Sequence, residues 1–230
     1  MKAYLTEALP LAPSSVDWTK GRTDWGMMRN DTLGDCTIAG VAHACQVWSL
    51  NKGLEDTILD QSVLTAYQRW CGYVYGYPST DRGGIELDVL TDWKEQGFQG
   101  CSLTGFAAVD PHNMAEVQAA ITLFGGLYIG IELPASAQQQ LLEQQPWTCI
   151  GGPSGVAGSW GGHCVFVAGY DATGVTCITW GKLQKMGWDF WHAYVDECYA
   201  LLSEEFLGRD GRTPSGLDLV QLQQDLLEIH

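Results

Sequence analysis

Apolar residues dominate the stretch from Thr37 to Leu50, where Ile38, Ala39, Val41, Ala42, Ala44, Cys45, Val47 and Trp48 leave almost no charge on any side. A run of this length without a polar stripe predicts a helix buried on most of its faces. Two further helical patterns follow, Gln61 to Trp70 and Ile85 to Gln96, so the chain from Asn30 to about Gly100 reads as helical. From Cys101 onward the period changes. Leu103 to Val109, Leu127 to Leu133, His163 to Tyr170, Gly174 to Trp180 and Ala193 to Leu202 read as strands, and Asp171-Ala172-Thr173-Gly174 as the turn of a hairpin. Pro134 to Trp147, with its glutamines, reads as a polar helix or loop ahead of the glycine-rich stretch Gly151 to Gly162. Met1 to Arg29 is an extended arm expected to pack across the strand-rich part. Leu219, Leu222, Leu226 and Ile229 share one helical face, so residues 214–230 predict an amphipathic helix, docked on its own lobe or pairing two copies.

Chemistry gathers at two places. Gly34 permits a tight turn into the first helix, which puts Cys36 where unpaired N–H groups and the positive dipole end favour an anion. Thiols placed so, beside an imidazolium, have pKa values of roughly 3.5–7.5. Of five histidines, His43 lies about 10.5 Å further along the helix and reads as a packed core residue. His112 reads as solvated, His192 as structural among aromatics, and His230 is terminal. His163 stands at the mouth of an apolar strand beside a glycine-rich loop, where catalytic groups are displayed. The bland alternative for Cys36 is an inert cysteine capping a core helix.

At these residues the chain resembles the papain-like cysteine peptidases. Pro13-Ser14-Ser15-Val16-Asp17-Trp18 resembles the start of the mature domain. Asn30, six residues before Cys36, falls where the family has its oxyanion glutamine. Gly83-Gly84 resembles the glycine pair that lines the substrate cleft, residues 119–134 the helix and strand ahead of the histidine, and Trp180-Gly181 the pair that follows the family's asparagine. The likeness covers about residues 13–200 and is greatest to uncharacterised bacterial and phage members without a pro-region. It implies an α+β fold in one domain, residues 1–230. Residues 30–100 would form a helical lobe, and residues 1–29 with 101–213 a strand-rich, barrel-like lobe, with a cleft between. It also implies Cys36 as nucleophile, His163 as general base, Asn30 as oxyanion donor, and Gly83, Gly84 and Trp180 as substrate contacts, with no cofactor and no metal.

Several positions depart from that pattern. The third catalytic residue falls at Ile178, which has no side-chain acceptor; Thr179 is the nearest candidate to orient the imidazole. Asn30 is one methylene short, Thr37 replaces a tryptophan, and Asp35 sets a negative charge beside the thiol, which raises its pKa. A hydrolase acting on peptide or amide bonds through a Cys–His dyad is the leading expectation. A catalytically silent papain-like binding module is its rival, and an acyltransferase or deamidase on the same site is a third reading.

Composition changes this picture little. Apolar residues make up 46% of the 230, ample for a core, and ten tryptophans and nine tyrosines suit an interface between lobes. A net charge of −15 argues against nucleic acid and anionic membranes as partners and leaves a peptide or protein substrate. Residues 1–12 hold one lysine and no seven-residue apolar stretch, so no signal peptide is expected and the placement is cytoplasmic. In secreted papain-like enzymes one bridge joins the active-site loop to the cleft glycine segment. Leu33 and about Thr80 occupy those positions here, so the eight cysteines are expected to be reduced thiols. No cysteine pair has CxxC spacing, which argues against a zinc site.

Overall fold

The computed structural model describes residues 12–207 and 212–214. Helix α1, Cys36–Asn51, is buried nearly all round, from Thr37 to Ser49, as its composition demands. Helices α2, Asp60–Cys71, and α3, Glu86–Gln96, instead bury one stripe each: Val63, Leu64, Ala66 and Tyr67 on α2, and Val89, Leu90 and Trp93 on α3. These three helices cover one face of a sheet.

The sheet is antiparallel among the described residues. Strands β1 (Val16–Asp17), β2 (Gly105–Ala108), β3 (Leu127–Leu133), β4 (Gly161–Asp171), β5 (Gly174–Thr179), β6 (Lys182–Gly187) and β7 (Val195–Leu202) run in the order β2-β7-β3-β4-β5-β6, with β1 paired to β4. The β1 pairing sets Val16 opposite Tyr170 and Asp17 opposite Gly169, on the edge of β4. The β4–β5 hairpin closes with Asp171 opposite Gly174. Strand β6 was not expected. Its alternation Lys182-Leu183-Gln184-Lys185-Met186 is short and spends an inward position on Gln184, whose amide donates to Gln145 O at 2.9 Å. The strand expected from Ala193 starts at Val195, because Ala193 and Tyr194 end helix α6, Trp188–Tyr194; α4 (Met114–Phe124) and α5 (Ala135–Leu142) complete the α-helices among the described residues.

Alternation along β4 divides the core in two. Cys164, Phe166 and Ala168 pack with α1, α2 and α3, while Val165 and Val167 pack with α4, α5 and α6. The fold is α+β with two lobes. The helix expected over 214–230 and the first eleven residues lie outside the described residues. No helix among the described residues is long and apolar enough to cross a membrane.

The expectation of eight reduced thiols is corrected. Cys45 on α1 is bonded to Cys101, with Cα atoms 6.1 Å apart; Cys36, Cys71, Cys149, Cys164, Cys177 and Cys198 are free. The family bridge is indeed missing. The observed pair lies 56 residues apart in sequence and joins α1 to the segment after α3.

Candidate active site

Cys36 is the first residue of α1, and Gly40 lies one turn further on the same face. A side-chain carbon on Gly40 would come within 2.9 Å of the Tyr128 ring and 3.4 Å of the Cys164 sulfur. That glycine lets α1 lie against β3 and β4, and so carries Cys36 to the strand that bears His163. The Cys164 main-chain N–H donates to the Cys36 sulfur, one peptide from the histidine.

His163 is held from two sides. Its Nε2 is 2.7 Å from Thr179 Oγ1, and its ring stacks on Trp180 with centroids 4.3 Å apart and planes 9° apart. Thr179, not Ile178, is the residue in contact with the imidazole. Ile178 is fully buried and points to the opposite face, into the α1 core. The reason is the β5–β6 turn. Trp180 and Gly181 both have positive φ, 44° and 74°, a two-residue hairpin turn that brings the tryptophan one position closer to the orienting residue. A left-handed tryptophan is uncommon and stays only where its surroundings fix it. Here the ring lies on His163, stacks against Trp160 at 5.3 Å and donates from Nε1 to the Asn30 carbonyl at 3.1 Å. Trp180 therefore acts on the imidazole and the Asn30 loop.

Asn30 comes to the site, but its side-chain amide is engaged: Nδ2 donates to Asp35 Oδ1 at 3.1 Å and reaches Leu33 O at 3.4 Å. Gly83 lies against the Gly34 loop, and Gly84 against Thr37 in the first turn of α1. Gly83 has φ +77°, and its N–H donates to Tyr67 Oη at 3.0 Å. A side-chain carbon on Gly84 would meet Thr37 Oγ1 at 2.6 Å and the Cys71 sulfur at 2.8 Å. Asp81, which the sequence reading passed over, ties these parts together: Oδ1 accepts the Gly34 N–H at 3.0 Å and the Tyr67 hydroxyl at 2.6 Å. Its signal was its place two residues before the glycine pair. Beyond the glycines, Glu86, Asp196 and Glu197 converge over Gly130, where an added carbon would lie 3.1 Å from Asp196 Oδ1 and 3.1 Å from Glu86 Oε1.

The electrostatics overturn one expectation. Burial pushes the Cys36 thiol up to about 11, and the charges of Glu86 and Asp35 add to that; the Cys164 and Thr37 N–H groups oppose it without prevailing. Burial also pulls His163 down to about 3. Both shifts favour the uncharged forms, a thiol at Cys36 and an imidazole at His163, rather than the ion pair expected from the helix dipole alone. Cys36 keeps a partly open surface, so water softens its shift more than that of the enclosed His163. His43 is buried and pulled down to about 4, as a packed core histidine should be. His112 is exposed as expected; His192 is exposed too, its ring stacked on that of His112 at 6.4 Å, which corrects its structural reading.

Buried groups here tie stability to pH with opposite signs. For His43 and His163 the folded pKa lies below the ordinary 6.5, so their stabilisation is full above that and is lost as pH falls toward 4 and 3. For Asp35, pushed up to about 7 chiefly by burial, it is full below about 4 and is lost as pH rises through 7. Asp35→Asn keeps an acceptor for Asn30 and removes the buried charge. It is expected to raise Tm at pH 8, by on the order of a few kcal/mol in stability, and to leave Tm at pH 4 nearly unchanged. Melting curves at the two pH values check this; equal shifts at both would refute it.

No protein-family model and no curated protein matches the chain in sequence. Solved structures do match it. Xylellain, a cysteine protease from Xylella fastidiosa, superposes with a TM-score of 0.61 at 16% identity, over 84% of this chain and 86% of that one. The Carica candamarcensis cysteine protease CMS1MS2 does so at 0.56 and 16%, over 82% and 98%. The bromelain protease from Ananas comosus does so at 0.52 and 15%, again over 82% and 98%. At these identities the likeness shows the architecture: this chain has the papain-like fold, with Cys36 at the start of α1 and His163 on β4.

Proposed function

We propose that the protein is a thiol hydrolase of peptide or amide bonds, with Cys36 as nucleophile and His163 as general base. The observation that carries this reading is the His163 Nε2–Thr179 Oγ1 bond at 2.7 Å beneath the Trp180 ring. With the proton on Nε2 donated to Thr179, Nδ1 keeps its lone pair and can take the Cys36 proton as the sulfur attacks a carbonyl. Burial favours the uncharged form of each group, so that proton transfer would accompany attack on the substrate. The Cys36 N–H at the helix end, with the Asn30 amide once freed from Asp35, would hold the oxyanion. Gly83 and Gly84 would take substrate backbone.

The silent binding module stays in play on one observation, the commitment of the Asn30 amide to Asp35. Turnover decides between them. Fluorogenic peptide amides and esters, including cationic ones because Glu86, Asp196 and Glu197 gather around Gly130, are expected to be cleaved by wild type and not by Cys36→Ala. Binding of peptides by Cys36→Ala with no turnover by wild type would establish the silent module. Amine- or amide-transfer products would point to the acyltransferase or deamidase reading. A bacterial or phage source and a cytoplasmic placement remain proposals, and the Cys45–Cys101 bond weighs against the second.

A further inference from the structure

Asp35 carries a feature that the reaction above leaves unused. It is fully buried, yet its side chain makes no capping bond to α1. Oδ1 takes the Asn30 amide, and Oδ2 has no partner. Asn30 in turn accepts the Trp180 indole through its main chain, and that ring covers His163. Around Asp35 stand further acids. Asp81, on the Gly34 N–H, and Asp60, at the start of α2, raise its pKa; the thiols of Cys36 and Cys71 feel its charge; and the Tyr67 hydroxyl is bound to Asp81. No lysine or arginine forms an ion pair with it among the described residues. A buried carboxylate with acidic neighbours and one unsatisfied oxygen is a group that gains by taking up a proton.

We propose that Asp35 is a positioning residue whose protonation releases the Asn30 amide into the cleft and removes one of the negative charges beside Cys36. The inference rests on Cys36 being the nucleophile proposed above. As a carboxylate, Asp35 accepts from Asn30 Nδ2 and opposes a second negative charge on the neighbouring sulfur. As an acid it becomes a donor. The Asn30 carbonyl can then turn toward it, leaving Nδ2 free to meet an oxyanion. Burial, Asp81 and Asp60 place the change near pH 7, while the Asn30 hydrogen bond holds it down. The site is thus armed on the acid side of neutrality and restrained on the alkaline side.

The test needs no substrate. Iodoacetamide alkylates the Cys36 thiolate with loss of iodide, and the full-length protein is followed from pH 5.5 to 9 by peptide mass spectrometry. A thiol titrating alone gives a log rate that rises with unit slope. The wild type is expected to show a flattened segment near pH 7, where ionising Asp35 raises the thiol pKa. Asp35→Asn is expected to give one straight line, meeting wild type at pH 5.5 and lying about tenfold above it at pH 8.5, the equivalent of one pKa unit. Asn30→Ala removes the bond that holds the carboxylate down, so the wild-type break should move to higher pH. That variant gives the answer even if Asp35→Asn does not fold. A straight wild-type line overturns the proposal. So does a break that persists in Asp35→Asn, which would then belong to Glu86, whose charge also reaches Cys36. A break without turnover on any peptide would count against the hydrolase, and turnover with a straight line against Asp35 alone.

Discussion

Replacing Thr179 by Val is expected to lower kcat by roughly 10²-fold with KM little changed, while replacing Ile178 by Asn raises no activity and lowers stability. Thr and Val share a shape, so the first change removes one hydroxyl from beneath a buried imidazole. His163 Nε2 then loses its 2.7 Å partner, and with it the tautomer that leaves Nδ1 free for the thiol. In serine-protease triads, losing the orienting carboxylate's charge costs about 10⁴ in rate. A neutral hydroxyl supplies tautomer and orientation without charge, which is why a smaller factor is expected here. The orphaned nitrogen should also cost about 1–3 kcal/mol of stability, so rates need to be compared well below the melting temperature. Ile178 is different. It is paired with Phe166 across the sheet and fully buried in the α1 core, and an amide there meets no partner of its own kind. The lost aliphatic packing and the buried amide together are expected to cost about 2–5 kcal/mol. Steady-state kinetics with thermal melts separate the two. Wild-type kcat in Thr179→Val would show that the hydroxyl does not position the base, and a gain in Ile178→Asn would mean that the orienting place was vacant.

Thr179 also shows where sequence reading succeeds and where it stops. The apolar run after Cys36 and the nearly continuous apolar runs at Leu127–Leu133 and His163–Tyr170 specify buried elements almost unaided, and α1, β3 and β4 follow them closely. A one-residue slip in a strand reverses every side chain. Counting back from Trp180 landed on Ile178 because the turn through Trp180 and Gly181 is tight, and nothing in the sequence announces a tryptophan with φ of 44°. Asp35 was read as a charge beside a thiol, correctly, but its burial and the hold on Asn30 arise from Gly34 lying under Asp81 and Gly83, neighbours 47 or more residues away. The pKa of Cys36 failed for the same reason. The helix end was legible; Glu86, and the packing that strips water from the sulfur, were not.

Breaking the Cys45–Cys101 bond is expected to lower Tm by about 10 °C. The two cysteines are separated by 56 positions, and closing a loop of that length in the unfolded chain is worth about 4 kcal/mol on the chain-entropy account. For a protein of this size each kcal/mol moves Tm by about 2–4 °C. Position gives the bond a second effect. It ties buried α1, whose N-terminus holds Cys36, to the turn after α3, where Trp93 Nε1 donates to the Cys101 carbonyl at 3.0 Å. Both cysteines are buried, but they form part of the wall of an open cavity of about 320 Å³ with Asp56, Ser62 and Gln99, which gives a small reductant a route to the sulfurs. Melts with and without dithiothreitol, and of Cys45→Ala/Cys101→Ala, should agree with each other and fall below the oxidised protein. Alkylation under denaturing conditions should find six free thiols before reduction and eight after. Coincident melts with eight thiols throughout would mean that the bond does not form in solution. Six thiols with coincident melts would mean that the bond forms and that the loop entropy is offset elsewhere in the reduced chain. If the expected drop is found, the protein depends on an oxidised pair, and its working compartment has to be one that keeps it so.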